Sequence, residues 1–339
     1  MEGAPSRREQ LPVDRVIAAI EETEKLGIGN LYLTGGEPLL YDSLAAVLRA
    51  AAGVSGLKTT LCTNATLING RKLTLFKESS LRLNVSIDGD ENSHDLFRVL
   101  NGAFRAAESG VRSIVQSGLP VTIIMTIRQT NFHLLSQVVE WSAKIGAVKF
   151  LAQPLLKLGR GTQIADERLT SAQLNQLILQ LSDLANRYRD SGMECALVGK
   201  SRHFLLAHPC GAYVCNGTGC HRGVQKEIKK VVVREDGAVL PEVTNLSQEF
   251  ALGNIMDLPL SALVERYFKV GGYDKFDQLC RTVYSEVLPN WPDAFVPWDQ
   301  IIAERSYDWR ASVGNNPAQL SCGTCSAGKP PLAVRWQTV

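Results

Sequence analysis

The sequence predicts an α/β chain, read as a TIM-like barrel, full or partial, followed by a smaller cysteine-containing module. Three observations carry that reading. Helical and strand-like segments alternate from residue 13 to residue 190, and units of that length make parallel βαβ crossovers. The strand-like segments are short and apolar, as strands covered on both faces are. No Gly-x-Gly-x-x-Gly phosphate loop follows any of them, which argues against a doubly wound dinucleotide fold.

The elements follow in order. Residues 1–12 carry Pro, Ser and charge and read as loop. Val13, Val16, Ile17 and Ile20 recur at helical spacing, so residues 13–25 are expected to be helical, ending at Gly27 and Gly29. Leu31-Tyr32-Leu33 is a strand running into Thr34-Gly35-Gly36-Glu37-Pro38. Helices are then expected over 44–52, 71–78, 102–118, 133–145 and 170–190, and strands over 57–62, 81–87, 121–127 and 148–152. After about residue 200 the texture changes. Residues 209–220 form a glycine-rich loop with Cys210, Cys215 and Cys220. Residues 228–233 and 238–240 flank Asp236-Gly237, the signature of a β-hairpin. A helix is expected over 260–268, and from about 283 the chain reads as an irregular Pro-, Trp- and Asn-rich tail ending in Cys322-Gly-Thr-Cys325. This divides the protein into a barrel over 1–200 and a second module over 201–339.

Composition narrows the function. Hydrophobic residues are 45% and charged residues 21% of 339, so the chain can bury a large core. A net charge of +2 gives no electrostatic case for nucleic acid or an anionic membrane surface. No apolar run approaches a membrane span, and the polar N-terminus lacks the apolar core of a signal peptide. The expectation is a cytoplasmic protein whose eight cysteines are reduced or metal-bound.

Polar residues gather where strands end. Glu37 follows the first strand, Thr63 and Asn64 the second, Ser86 and Asp88 the third, and Thr126 and Arg128 the fourth. Polar groups from several strand ends at one mouth are the usual layout of a barrel active site. The bland alternative is that each caps its own strand or helix.

The combination of Gly35-Gly36-Glu37-Pro38, Thr63-Asn64, Ser86-Ile87-Asp88-Gly89 with His94, Asp95 and Arg98, and Gly159-Arg160-Gly161 resembles the radical S-adenosylmethionine (radical SAM) enzymes over roughly residues 13–165. The later hairpin and Leu252-Gly253-Asn254-Ile255 look like the SPASM or twitch extension many of them carry. The resemblance implies a partial (β/α)6 barrel. Gly35, Gly36 and Glu37 would hold the methionyl amine of SAM, which backbone carbonyls and a carboxylate suit. Ser86 would contact its ribose or carboxylate, with Asp88 nearby, and Thr63 and Asn64 would line the pocket. Arg98 is either a partner for the SAM carboxylate or a surface ion pair.

The resemblance also implies a [4Fe–4S] cluster bound through Cys-x3-Cys-x2-Cys, and here the chain departs. Its first cysteine is Cys62, inside a strand. The first strand and the cluster loop are therefore expected to be missing, through truncation or through loss. The implied activity of an intact form is reductive cleavage of SAM to a 5′-deoxyadenosyl radical and hydrogen abstraction from a peptide, protein or natural-product substrate, with an external electron donor. A non-catalytic SAM- or peptide-binding partner, or an unrelated barrel enzyme using Glu37 or Asp88 as base, are the alternatives. Cys210, Cys215 and Cys220, completed by Cys280, Cys322 or Cys325, could hold an auxiliary Fe–S cluster or zinc, or remain free thiols. Glu242 stands where SPASM proteins usually place a further cysteine. Cys62 and Cys195 read as core residues.

Overall fold

The structure is a computed structural model that describes residues 10–207, 212 and 230–309. These fall into two compact units, 10–156 with 160–198, and 157–159 with 199–309.

The first unit is built on a six-stranded, wholly parallel sheet in sequential order. Its strands are β1 (Asn30–Leu33), β2 (Lys58–Thr63), β3 (Arg82–Ser86), β4 (Val121–Ile127), β5 (Lys149–Pro154) and β6 (Glu194–Leu197). β1 and β6 do not pair with each other, so the sheet stays open, as in a partial barrel. The helices are α1 (Val13–Glu21), α2 (Leu44–Gly53), α3 (Gly70–Glu78), α4 (Glu91–Arg98), α5 (Ala103–Gln116), α6 (Leu135–Ile145) and α7 (Ser171–Tyr188). Successive strands joined by helical crossovers lie parallel, and here each strand pairs with the one before it.

Side chains alternate across the strands, and the register assigns each to a face. Leu31, Leu33, Leu61, Leu83, Val85, Ile123, Met125, Ile127 and Phe150 share the outer face. There Leu31 and Leu33 pack with Ile20 of α1 and Val47 of α2. Leu61, Leu83, Ile123, Met125 and Phe150 are fully buried, each such side chain contributing about 1.5–3 kcal/mol by leaving water. The other face carries Asn30, Tyr32, Lys58, Thr60, Cys62, Arg82, Asn84, Ser86, Thr122, Ile124, Thr126, Lys149, Leu151 and Gln153. Its apolar patch is Ile124, Leu151 and Ala196, with Val198 against them.

Two elements of this unit escape the sequence reading. α4 carries too few apolar residues to show a stripe, and Leu96 on it is exposed. What starts α4 is Asp90, whose Oδ1 accepts from Ser93 N at 2.9 Å. β6 is only four residues long and is recognisable through its pairing with β5.

The second unit contains β7 (Lys200–Ser201), α8 (Arg202–Ala207), the hairpin β8 (Val231–Val233) and β9 (Ala238–Pro241), β10 (Gly253–Asn254), α9 (Leu260–Lys269), α10 (Gly272–Glu286), β11 (Phe295–Val296) and α11 (Trp298–Tyr307). The hairpin turns at Asp236-Gly237, with Gly237 at φ +80° and Asp236 Oδ1 accepting from Ala238 N at 3.0 Å. β10 extends the hairpin, antiparallel to β9. The expected irregular tail is corrected here, since the last residues of α10 and all of α11 are helical. α11 buries Trp298, Gln300, Ile301, Ile302, Ala303 and Ser306. A helix buried nearly all round shows no amphipathic period for the sequence to reveal. Its core partners include Leu240, Phe250, Phe276, Leu279 and Cys280.

Candidate functional site

The site lies at the C-terminal ends of β1–β4, and Glu37 is its first fixed point. Glu37 Oε1 accepts from Thr63 Oγ1 at 2.7 Å and Leu39 N at 3.1 Å, and Oε2 accepts from Asn64 N at 2.8 Å. The carboxylate thereby ties the turn after β1 to the end of β2. Oε2 keeps an acceptor position for a further donor. Just before it, Gly35 and Gly36 are exposed, and a Cβ at either would meet nothing within 4 Å. Gly35 has φ +144°, which disfavours any other residue. The backbone there is open to a ligand.

Thr63 and Asn64 act behind Glu37. Thr63 is buried on the outer face and also accepts from Ala65 N at 3.0 Å. Asn64 Oδ1 accepts from Thr66 N and Thr66 Oγ1, closing its own turn. Both brace the carboxylate. Thr63 does so through its hydroxyl and Asn64 through its backbone N–H.

A buried polar network closes the ends of β3 and β4. Asp88 is fully buried, so it stands behind the surface a ligand would touch. Its Oδ2 pairs with Arg98 Nη2 at 2.5 Å, and its Oδ1 accepts from Thr126 N at 3.0 Å. Asp88 N donates to His94 Nδ1 at 3.1 Å. Asn131 Nδ2 donates to Asp88 O and to Thr126 O, both at 2.8 Å. Arg128 pairs with Glu167 at 2.6 Å and lies 4.0 Å from the Phe97 ring centroid. Burial, the largest influence on Glu167, pushes its carboxyl up, but the bonds from Thr130 and Arg128 together bring it below the ordinary value. Arg98, offered by the sequence as a ligand contact or an ion pair, is the partner of Asp88.

The inner face brings further polar side chains toward the mouth. Ser86 is half-buried at the end of β3. Thr126 follows on β4, paired in register with Gln153 on β5. The sequence reading placed Thr126 at a strand end but ended the next strand before Gln153. The Thr122-Ile124-Thr126 alternation was the available signal. Cys62 also faces inward, not into the helix-packed core, and Asn84 Nδ2 lies 3.8 Å from its sulfur. Burial pushes both its thiol and that of Cys195 up to about 11.

The metal candidates are placed only in part. Cys210, Cys215, Cys220, Cys322 and Cys325 lie outside the described residues. Cys280 is buried on α10. Cys62 and Cys195 stand on opposite faces of the sheet and are held as thiols. Among the described residues no group of three His, Cys, Asp or Glu could hold a metal. The described residues therefore do not fit an iron–sulfur cluster at this mouth. They do fit the amino-acid end of SAM, through the open Gly35-Gly36 backbone and the remaining Glu37 acceptor.

His94 gives the network a pH dependence. It is buried, and that burial lowers its pKa more than the nearby Asp88 charge raises it. The unfolded chain, with histidine near 6.5, therefore binds a proton before the folded chain does. The histidine's contribution to stability is full above that value and is lost as the pH falls below it. Urea midpoints should drop between about pH 7.5 and about pH 5.5, and His94→Gln should show a smaller drop. A parent midpoint that rises on acidification would contradict this.

Residues 2–141 match the family model described as Radical SAM superfamily. The chain is similar to the AdoMet-dependent heme synthase of Oleidesulfovibrio alaskensis, 27% identical over 171 residues, covering 50% of this chain and 44% of that enzyme. It is also similar to the sporulation killing factor maturation protein SkfB of Bacillus subtilis, 29% identical over 158 residues, covering 46% and 38%. The chain thus spans less than half the length of either relative. Among solved structures it resembles Streptococcus suis SuiB bound to precursor peptide SuiA, with a TM-score of 0.61 and 17% identity, covering 77% of this chain and 59% of that one. At that identity the likeness is one of fold. No helix among the described residues is long and apolar enough to cross a membrane.

Proposed function

Because residues 2–141 match the radical SAM superfamily model, we propose that the strand-end mouth binds S-adenosylmethionine and that the whole protein uses SAM-dependent radical chemistry on a peptide. Gly35, Gly36 and Glu37 take the ammonium, and Ser86 with Thr126 takes hydroxyl or carboxylate groups. Asp88 and Arg98 position β3, and Thr63 and Asn64 position Glu37. The radical chemistry is what SAM supplies in this family. The residues of this chain bind and orient, and no cluster ligand is assigned among them.

The observation supporting a peptide is the charge of the inner face. Its charged strand residues are Lys58, Arg82, Lys149 and Glu194, all at the N-terminal starts of their strands, with Lys149 paired to Glu194 at 3.1 Å. Toward the mouth come Asn84, Ser86, Thr126 and Gln153, which are neutral donors and acceptors suited to amides. A porphyrin with several carboxylates calls for cations at that point. SkfB, named for a sporulation killing factor, and the peptide-bound SuiB are consistent with this choice. The heme-synthase relative favours a porphyrin instead.

Calorimetric titration of the chain with SAM should show saturable one-to-one binding, and no binding would sink the proposal. A tetracarboxylate porphyrin should bind weakly. If it binds more tightly than SAM, the porphyrin reading replaces the peptide one.

A further inference from the structure

We propose that Asn131 is the positioning residue of this mouth, a clamp that sets the spacing of β3 and β4 and so of Ser86 and Thr126. The inference rests on the SAM-binding reading for its functional half only. Asn131 follows β4, is fully buried, and lies outside the strands and helices that the hydrophobic pattern marks out.

The ladder between β3 and β4 reaches its end at Ile87 N to Ile124 O, 2.9 Å. Beyond that pair, parallel strands have no ladder bonds to hold them, and carbonyls buried there need donors. Asp88 Oδ1 supplies the next link by accepting from Thr126 N. Asn131 supplies the rest. Its Nδ2 spans the gap, donating to Asp88 O on one side and Thr126 O on the other, each at 2.8 Å. Its Oδ1 accepts from Arg128 N at 2.9 Å. One amide thus satisfies two carbonyls and one amide hydrogen contributed by both strand ends.

The chemistry is specific to asparagine. Both bridging bonds need an N–H donor, and the third needs an acceptor on the same group. Aspartate has the same shape but presents an acceptor to two carbonyl oxygens. Alanine leaves all three backbone groups buried and unpaired. The side chain touches no ligand position itself. It acts through Thr126, whose carbonyl it holds while the hydroxyl side chain points to the inner face, and through Asp88, two residues beyond Ser86.

Two measurements on the whole chain test this, hydrogen exchange and SAM affinity, at a temperature where circular dichroism shows each variant folded. Leu184→Ala on α7 serves as the control. It opens a cavity near the end of that helix leading to the start of β6, at the opposite end of the sheet. Asn131→Ala should speed exchange of the Thr126 and Arg128 amides by tenfold or more, and Asn131→Asp, whose second oxygen still accepts from Arg128 N, should do so at Thr126; both should weaken SAM at least tenfold. Leu184→Ala should lower stability yet leave both readouts as in the parent. Unchanged exchange at Thr126 in the folded Asn131 variants would overturn the clamp, whatever SAM does. Faster exchange with SAM affinity within twofold of the parent would overturn the positioning role. If the parent itself fails to bind SAM, the functional reading falls, and the exchange data still decide the clamp.

Discussion

Asp88→Asn should cost about 3 kcal/mol of folding stability, enough to lower a thermal midpoint by several degrees. The carboxylate is fully buried and joins three elements at once, β3, β4 and α4. An amide of the same shape still accepts from Thr126 N, but it turns a donor group toward the Arg98 guanidinium. The ion pair is lost while the arginine remains. Arg98 is 30% exposed, so water recovers part of its solvation and the cost sits at the low end of the range for breaking a buried pair. Arg98→Met should cost at least as much, because it strands a charge at a fully buried position. The double variant should lose less than the two singles added, with a coupling of roughly 2 kcal/mol. Denaturation of the four proteins measures the cycle. A cost below about 1 kcal/mol for Asp88→Asn would mean that the pair is no more than a surface contact.

The backbone plan was legible because it rests on local patterns. β4 is found over the expected residues 121–127, since seven residues bounded by turn signals leave little choice. α7 begins where Thr170 and Gln173 form a reciprocal cap, a pattern visible in the sequence. The Asp-Gly hairpin follows from turn chemistry alone. That the polar residues of the mouth lie at one edge of the sheet was also legible, as each follows a strand and parallel strands end on the same side. Their individual roles were not. Glu37, Thr63 and Asn64 are neighbours through β1–β2 pairing, and nothing in the sequence says that two of them brace the third. Asn131 is one polar residue in a loop until β3 and β4 lie side by side. Inner and outer faces separate only once the register is known. That is why Cys62 reads as core in the sequence but faces inward beside Asn84 in the fold.

Glu37→Ala should weaken SAM ten- to a hundredfold, the loss of a charge-assisted contact worth on the order of 1.5–3 kcal/mol. The reasoning has two parts. The carboxylate is the charge available to a ligand ammonium at the open Gly35-Gly36 turn. It also holds that turn in place, through Leu39 N, Thr63 Oγ1 and Asn64 N. Removing it leaves those three donors to water or to nothing. Glu37→Gln separates the parts. Its amide oxygen can still accept from Leu39 N and Thr63 Oγ1, but its NH2 then faces Asn64 N–H, donor against donor. The turn is mostly kept and the negative charge is gone. Glutamine should therefore fold nearly as well as the parent and still bind SAM weakly, whereas alanine should lose both stability and affinity. Calorimetric titration beside thermal melts gives both orders. If glutamine binds SAM as tightly as the parent, the ammonium is not at Glu37, and the carboxylate is purely a brace between β1 and β2.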